Sequence, residues 1–293
     1  MALRLPDRWL WDFWFARDGD DVHVFYLQAP HALAVGDLRH RNATIGHAVS
    51  RDLRSWKVLP DALGAGPPGA FDDLATWTGS VIRHDGRWLM FYTGISKAED
   101  GAVQRIGVAE SGDLTEWERR GVLCEADPSW YEREHWRDPW VEWDPDAACW
   151  RMLVCARAAS GDPARRGVIG HAVSGDLLDW RVVAPLSEPG RFLELEVPQL
   201  VWLGGAWRVL FCTRTEGAWG THYLTGDTRF GPYRLDREAF MAGDAAGSHY
   251  AGRVFDGWFF AWRQNGPDGF IGELSDPMEI AFEADGSPHV ALE

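Results

Sequence analysis

The chain has 293 residues, of which 29 are basic and 44 are acidic, so its net charge at pH 7 is −15. This charge argues against nucleic acids and anionic membranes as the main partners, because both are bound through basic surfaces. No apolar stretch approaches the roughly 18–20 residues that cross a bilayer, and no apolar signal segment precedes a small-residue cleavage site.

We therefore expect a soluble protein of the cytoplasm. Its four cysteines lack the spacing of a zinc site and are too few for a disulfide scaffold. We interpret them as buried strand residues of a protein from a reducing compartment. They are Cys124, Cys149, Cys155 and Cys212.

Five hairpin patterns follow one another along the chain. In each, β-branched and aromatic residues alternate on both sides of a turn that is rich in Gly or Asp, which predicts two antiparallel strands joined by a tight turn. No long helix is predicted between them. The hairpins cover residues 13–28, 80–94, 140–157, 200–214 and 253–264.

A second unit follows each hairpin. It reads IGHAVSRDLRSW at 45–56, IGVAESGDLTEW at 106–117 and IGHAVSGDLLDW at 169–180, with weaker copies at 222–233 and 270–280. The copies are roughly 50–63 residues apart, within reach of the periods found in β-propellers. Each repeat supplies about four short strands, so five repeats predict an all-β, five-bladed β-propeller with four antiparallel strands per blade.

We expect one domain over residues 1–293, with no interior linker. The Pro/Gly stretch 65–69 and the segment 129–136 are predicted to be loops between blades. The predicted blades cover approximately residues 9–60, 75–122, 136–184, 194–237 and 247–285.

The chain contains 18 tryptophans, which divide into two groups by position. Trp56, Trp117 and Trp180 share one repeat position, and four others share a second, which indicates packing between blade sheets. The remaining tryptophans cluster mainly at 9–14, 77 and 130–140, where we predict an aromatic groove.

The innermost strand of each blade should be the first arm of its hairpin. A position about eight residues before each turn reads Asp12, Trp77, Asp138, Glu196 and His249. An unpaired carboxylate is costly to bury, so three acids on inner strands need a reason. Each acid could cap loop amides or pair with a neighbouring Arg. Convergence of three acids on one axis instead favours a glycosidase, whose minimal machinery is two carboxylates flanking a sugar bond.

Four motifs occur in order along these strands. They are W-D-x-W at 11–14, W-T-G-S at 77–80, R-D-P at 137–139 and E-x-P at 196–198. This set resembles the fructan-processing glycoside hydrolases of family 32 (invertase, levanase, inulinase) and family 68 (levansucrase), which are related to family 43. Family 32 enzymes also carry a stretch similar to G-H-A-V-S-x-D-L-x-x-W at 46–56.

The resemblance implies that Asp12 is the nucleophile, that Glu196 is the acid and then the base, and that Asp138 holds ring hydroxyls and stabilises the transition state. It implies a retaining double displacement, for which the Asp12 and Glu196 carboxyls lie roughly 5–5.5 Å apart. No cofactor is implied. The residues implied to shape the sugar subsite are Trp11, Trp77, Thr78, Arg137 and Glu194.

Two histidines are further candidates. His135 immediately precedes the Asp138 strand and is predicted to line the pocket mouth. His249 in GSHYAG occupies a place comparable to that of a channel His that helps to hold calcium in some family 43 enzymes. We favour a hydrogen-bonded channel histidine that contacts substrate, and we predict no metal site.

The surroundings of the acids depart from family 32. Leu10 and Trp11 precede Asp12 where an Asn is typical, and Val197 replaces the Cys of Glu-Cys-Pro. The leading hypothesis is a retaining glycoside hydrolase that acts on a small β-fructofuranoside or related furanoside. The alternatives are a glycosyl-transferring enzyme, a repurposed site for a specialised metabolite, and an inactive sugar-binding propeller. In the last case an acid would be misplaced or locked in a salt bridge.

Overall fold

The computed structural model describes residues 2–267 and 269–292, and within them it confirms the all-β, five-bladed propeller. The first two blades consist of β1 (Arg8–Asp18), β2 (Asp21–Pro30), β3 (Thr44–Ser50), β4 (Lys57–Leu63), β5 (Ala75–His84), β6 (Arg87–Ile95), β7 (Gln104–Ser111) and β8 (Glu118–Cys124). The third and fourth blades consist of β9 (Tyr131–Asp144), β10 (Cys149–Ala158), β11 (Gly167–Ser174), β12 (Trp180–Val183), β13 (Glu196–Leu203), β14 (Ala206–Arg214), β15 (Trp219–Gly226), β16 (Tyr233–Arg234) and β17 (Ala242–Asp244). The fifth blade and a final hairpin consist of β18 (His249–Phe255), β19 (Trp258–Gly266), β20 (Gly269–Leu274), β21 (Ala281–Phe282) and β22 (Pro288–His289).

The only helices in the described part of the chain are three 3-10 helices, His31–Leu33, Gly36–Asn42 and Pro163–Arg165. None is long and apolar enough to span a membrane. In the first four sheets the strands are ordered as they follow in the chain, and β17 joins the fourth sheet beside β15.

The first strand of every blade lines the central channel, as predicted. β1, β5, β9, β13 and β18 each lie at one edge of their sheet and contact the first strands of neighbouring blades. Each strand also carries a register shift in its pairing with the next one, between Trp11 and Phe13 in β1 and between Trp77 and Gly79 in β5. Comparable shifts occur in β9, β13 and β18. Because a bulge bends a strand and redirects its side chains, five bulges reshape one end of the channel.

The repeated Ser-x-Asp-Leu-x-x-Trp segment is a structural turn. The Ser111 hydroxyl oxygen accepts the Leu114 N–H at 2.9 Å, and the Trp117 Nε1–H donates to the Leu114 carbonyl at 3.0 Å. Equivalent hydroxyl contacts occur at Ser50 and Ser174. Trp117 packs edge-on against Phe25 of the preceding blade, which confirms the predicted packing role of this repeat position.

Two predictions need correction. The stretch 65–69 lies outside the strands, as predicted, but most of 129–136 is not a loop, since β9 begins at Tyr131. Tyr131 pairs with Ala158 beyond a register shift, so the strand extends into the segment that was predicted to be a loop. Cys149 is half-buried rather than buried, and the other three cysteines are buried.

The ring closes between the two ends of the described chain. The fifth sheet has three strands, and Leu3 adds an antiparallel bridge to Leu274 at its outer edge. The Leu274 N–H donates to the Leu3 carbonyl at 3.0 Å, and the Leu3 side chain is buried.

We expect Leu3→Ala to lower the free energy of unfolding by about 2–5 kcal/mol, the usual effect of truncating a buried leucine. Chemical denaturation measures this loss. Leu38→Ala is the matched control, because the Leu38 side chain is exposed and should change stability little. Equal effects of the two substitutions would contradict the closing role of Leu3.

Candidate active site

A cavity of about 480 Å³ opens where the five inner strands bulge. Nine of the ten predicted site residues line it, and His249 does not. Those nine are Trp11, Asp12, Trp77, Thr78, His135, Arg137, Asp138, Glu194 and Glu196. The other lining residues are Leu27, Arg39, His40, Gln104, Arg214, Trp219, Tyr250, Trp262 and Gln264.

Asp12 lies at the bulge of β1, where the register shift directs it toward the cavity. The Thr78 hydroxyl, from the equivalent irregularity of β5, donates to Asp12 Oδ2 at 2.6 Å. Burial raises the pKa of Asp12, and the negative charge of Glu196 adds to this effect, whereas the Thr78 hydrogen bond opposes it. Asp12 is therefore an oriented carboxylate with one oxygen not engaged by Thr78.

Asp138 joins three blades. Its backbone has φ of 59°, and its N–H donates to Thr93 Oγ1 at 2.9 Å. Its Oδ2 accepts the Val197 N–H at 3.0 Å. Burial raises the pKa of Asp138 to about 7, with Arg137 opposing the rise and the nearby acids Asp12 and Glu196 supporting it. Near neutral pH this carboxyl can therefore act as donor or acceptor.

This raised pKa predicts a specific dependence of stability on pH. Between about pH 4 and pH 7 folded Asp138 retains a proton that the unfolded chain has released, so raising the pH destabilises the wild type. Asp138→Asn has no such titrating group. As the pH rises across this window, the difference in unfolding free energy between Asp138→Asn and the wild type should therefore shift in favour of the variant by up to about 1.4 kcal/mol per pH unit.

Urea unfolding at four pH values measures the difference. Asp20→Asn, in the exposed turn after β1, serves as the control and should show no such trend. A difference between Asp138→Asn and wild type that stays constant with pH would contradict the raised pKa.

Arg137 connects two glutamates across the cavity wall. Its Nη2 donates to Glu194 Oε2 at 3.0 Å and to Glu196 Oε1 at 2.8 Å. Glu194 also forms an ion pair with Arg157. Although burial pushes the pKa of Glu194 upward, Arg137 and Arg157 hold it below its usual value. Glu194 is thus a fixed anion. His135 lies at its side, with Nδ1 3.7 Å from Glu194 Oε1.

Both oxygens of Glu196 have partners. Oε1 accepts from Arg137, and Oε2 accepts the Tyr250 hydroxyl at 2.6 Å. Burial and the charge of Glu196 raise the pKa of Tyr250 well above its usual value, so this hydroxyl remains a donor. The Glu196 side chain is therefore oriented from two directions.

His249 occupies another site. It is buried, its Nδ1 lies 2.8 Å from Ser248 Oγ, and it lines a separate pocket with Trp258 and Met278. Successive side chains of a strand point to opposite faces, so a one-residue shift in register exchanges them. The cavity position belongs to Tyr250, which the sequence analysis missed. Among residues 2–267 and 269–292, no cluster of His, Cys, Asp and Glu could hold a metal.

The predicted aromatic groove is largely wrong. Of its members only Trp11 and Trp77 line the cavity, whereas Trp14 and Trp136 belong to the buried core. The Trp77 Nε1–H donates to the His40 carbonyl at 2.7 Å, which fixes this ring at the rim. Trp219 and Trp262 complete the aromatic lining from later blades.

The chain resembles known proteins over most of its length. The family model of the glycosyl hydrolases family 32 N-terminal domain matches residues 15–287. A sucrose-6-phosphate hydrolase of Zymomonas mobilis is 27% identical over an alignment of 294 positions, which covers 89% of this chain and 55% of that protein. The chain thus spans about half the length of the curated relatives that it matches first.

Two solved structures share the fold. An inulosucrase from Halalkalicoccus jeotgali bound to kestose superposes with a TM-score of 0.77 at 24% identity, over 99% of this chain and 89% of that one. A thermostable family-43 glycoside hydrolase has a TM-score of 0.75 at 14% identity, over 100% of this chain and 96% of that one. Because the family model covers most of the sequence, this chain belongs to glycoside hydrolase family 32.

Proposed function

We propose that this protein is a retaining glycoside hydrolase that acts on a small β-fructofuranoside or a related furanoside. The observation that carries the proposal is the meeting of Asp12, Asp138 and Glu196, from three different blades, in one cavity of a family 32 propeller. A 27% identical relative named sucrose-6-phosphate hydrolase supports the sugar class.

In the first step Asp12 attacks the anomeric carbon and forms an ester bond to the sugar. The glycosidic C–O bond breaks, and Glu196 transfers its proton to the departing oxygen. The nucleophile must be ionised for this attack, and the hydrogen bond donated by Thr78 favours that form of Asp12. The Tyr250 hydroxyl orients Glu196.

In the second step Glu196 accepts a proton from water, whose oxygen attacks the anomeric carbon and displaces Asp12. The product retains its configuration because the carbon is inverted twice. In this proposal Asp138 holds ring hydroxyls as positive charge develops on the sugar. Arg137 and Glu194 offer a donor and an acceptor for the same ring, beside Trp11 and the other rim residues.

A second candidate is a sugar-binding propeller without catalysis. One observation favours it: Glu196 is in an ion pair with Arg137 at 2.8 Å. A general acid must carry a proton when substrate binds, whereas a carboxylate held by a guanidinium is suited to accepting hydrogen bonds from a sugar. Measurement of turnover separates the two functions.

The test uses sucrose, sucrose 6-phosphate, short fructans and aryl furanosides, and proton NMR follows the configuration of the first product. We expect hydrolysis with retention by the wild type, and loss of hydrolysis in Asp12→Ala and Glu196→Ala. Sugar binding measured by calorimetry, without turnover of any glycoside by the folded protein, would support the binding propeller instead.

We also propose that the chain functions as one domain in the cytoplasm. The five sheets form one ring of contacting inner strands, which supports a single folding unit over the described residues. The described cysteines form no disulfide, which supports a reducing compartment.

A further inference from the structure

Arg253 is a buried cation close to the acids of the cavity but not part of its lining. It lies on β18, and its side chain is fully enclosed. Its Nε–H donates to the Phe13 carbonyl at 3.0 Å, and its Nη1–H donates to the Pro198 carbonyl at 2.9 Å. Phe13 follows Asp12 directly in the sequence, and Pro198 comes two residues after Glu196.

Three further blades therefore hold this guanidinium in place. Besides its contacts with the first and fourth blades, its carbon atom lies 5.2 Å from the centre of the Trp140 ring of the third blade. Within residues 2–267 and 269–292, its Nη2 has no hydrogen-bond acceptor and no carboxylate lies within ion-pair distance. Its position is thus set by neutral groups, while its charge is not neutralised by direct contact.

The charges that Arg253 faces are those of the reacting groups. Asp138 and Asp12 are the carboxylates that act on it electrostatically, together with the buried thiol of Cys212. Burial lowers the pKa of Arg253 to about 10, so the guanidinium still carries its proton near neutral pH. Burying a charge without a partner is strongly unfavourable. The presence of Arg253 here therefore indicates that its charge has a function or is balanced by more distant charges.

We propose that Arg253 is a positioning residue whose fixed positive charge, acting through space, keeps Asp12 ionised for nucleophilic attack. This inference rests on the proposed function of the same cavity. Coulombic attraction is stronger in a site shielded from water, so a cation that does not touch the carboxylate still biases its protonation.

The other groups around Asp12 act on its ionisation in different ways. Thr78 also favours the ionised form, through a neutral hydrogen bond rather than a charge, and Glu196 opposes ionisation. Arg39 also faces Asp12, but it lies on a 3-10 helix and shares its charge with Asp37 at 3.7 Å. The charge of Arg137 acts on the Cys155 thiol and then on Glu194, Glu196 and Asp138.

The experiment compares Arg253→Gln, which keeps a donor for the carbonyls but loses the charge, with Arg253→Lys, which keeps the charge. We expect the acidic limb of the kcat/KM profile to move to higher pH by about one unit or more in Arg253→Gln. It should stay near the wild-type position in Arg253→Lys. The shift is upward because a carboxylate that loses a nearby cation protonates at higher pH.

Arg208→Gln is the matched control. Arg208 is also a buried arginine of the propeller, with its guanidinium over the Tyr223 ring at 5.2 Å, and it does not line the cavity. Its loss should lower the melting temperature without moving the acidic limb. An unmoved limb in folded Arg253→Gln, or an equal movement in Arg208→Gln, would overturn the proposal.

If Arg253→Gln does not fold, Arg253→Lys provides the test. An upward shift of its acidic limb, in spite of the retained charge, also overturns the proposal. Carbon-13 NMR of labelled aspartate carboxyls gives a readout without substrate, with Asp12 assigned through Asp12→Asn. A wild type that hydrolyses no furanoside counts against the proposed function alone. Titration of Asp12 at the same pH in Arg253→Gln and in the wild type counts against the role of Arg253.

Discussion

Asp12→Asn is expected to reduce kcat/KM for a furanoside by about 10⁴-fold or more, the scale of loss when an essential catalytic group is removed. The amide is nearly the same size and can still accept the Thr78 hydrogen bond at Oδ, but it cannot form the ester intermediate. Steady-state kinetics with an aryl furanoside measures the loss.

Glu196→Gln should show a different pattern of loss. A missing general acid costs roughly 10²–10⁴-fold when the leaving group is a sugar hydroxyl, and much less when it is an activated phenol that departs without a proton. Asp20→Asn, in the exposed turn after β1, controls for loss of an acid elsewhere and should retain full activity. Equal losses on both substrates would argue against Glu196 as the acid.

Arg137→Met is expected to lower both stability and activity. Its removal leaves Glu194 and Glu196 without the guanidinium that bridges them, and it removes the cation nearest to Asp138 Oδ2, at 3.7 Å. Breaking such a buried pair destabilises proteins by about 3–5 kcal/mol, because an uncompensated charge stays behind. Chemical denaturation at pH 7 measures this change.

Lowering the pH provides an internal check on that explanation. Protonation of the remaining carboxyls removes the uncompensated charge, so the defect of Arg137→Met should shrink as the medium becomes acidic. Arg120→Met is the control, since Arg120 forms exposed ion pairs with Glu110 and Glu118 that are worth about 0–1 kcal/mol. A defect of Arg137→Met that is no larger than that of Arg120→Met would contradict the bridging role.

The carboxylates of the cavity differ in what surrounds them. Glu194 has two guanidinium partners that keep it charged, whereas Asp138 meets backbone N–H and hydroxyl groups and has a raised pKa. Asp12 has a hydroxyl partner and faces Arg253 only at a distance. The carboxyl groups of one cavity therefore differ in how readily they bind a proton, as a retaining mechanism requires.

Much of the fold could be predicted because its signals are local. Alternation around Gly- and Asp-rich turns specifies hairpins, and the Ser-x-Asp-Leu-x-x-Trp segment carries its own turn hydrogen bonds, as at Ser111 and Leu114. The ordered motifs around Asp12, Asp138 and Glu196 also predicted acids that the structure brings into one cavity. These features depend on neighbours within a few residues or on recognisable short stretches.

The predictions were wrong where the structure depends on contacts between residues that are far apart in the sequence. Tyr131 extends β9 because it pairs with Ala158, a partner that no local pattern indicates. Tyr250, and not His249, lines the cavity, next to the bulge of β18 that follows Tyr250. Since adjacent strand positions face opposite ways, a small error in register exchanges a cavity residue for a core residue.

The sequence by itself determined the blade count, the turns and which acids lie on the inner strands, because repetition and strand alternation are properties of the chain. Only the tertiary structure decided the electrostatics of the site: the Glu196 contacts with Arg137 and Tyr250, and the place of Arg253. Burial and charge pairing depend on distances between blades far apart in sequence. The ionisation of Asp12, Asp138 and Glu194 therefore depends on contacts that only the assembled ring provides.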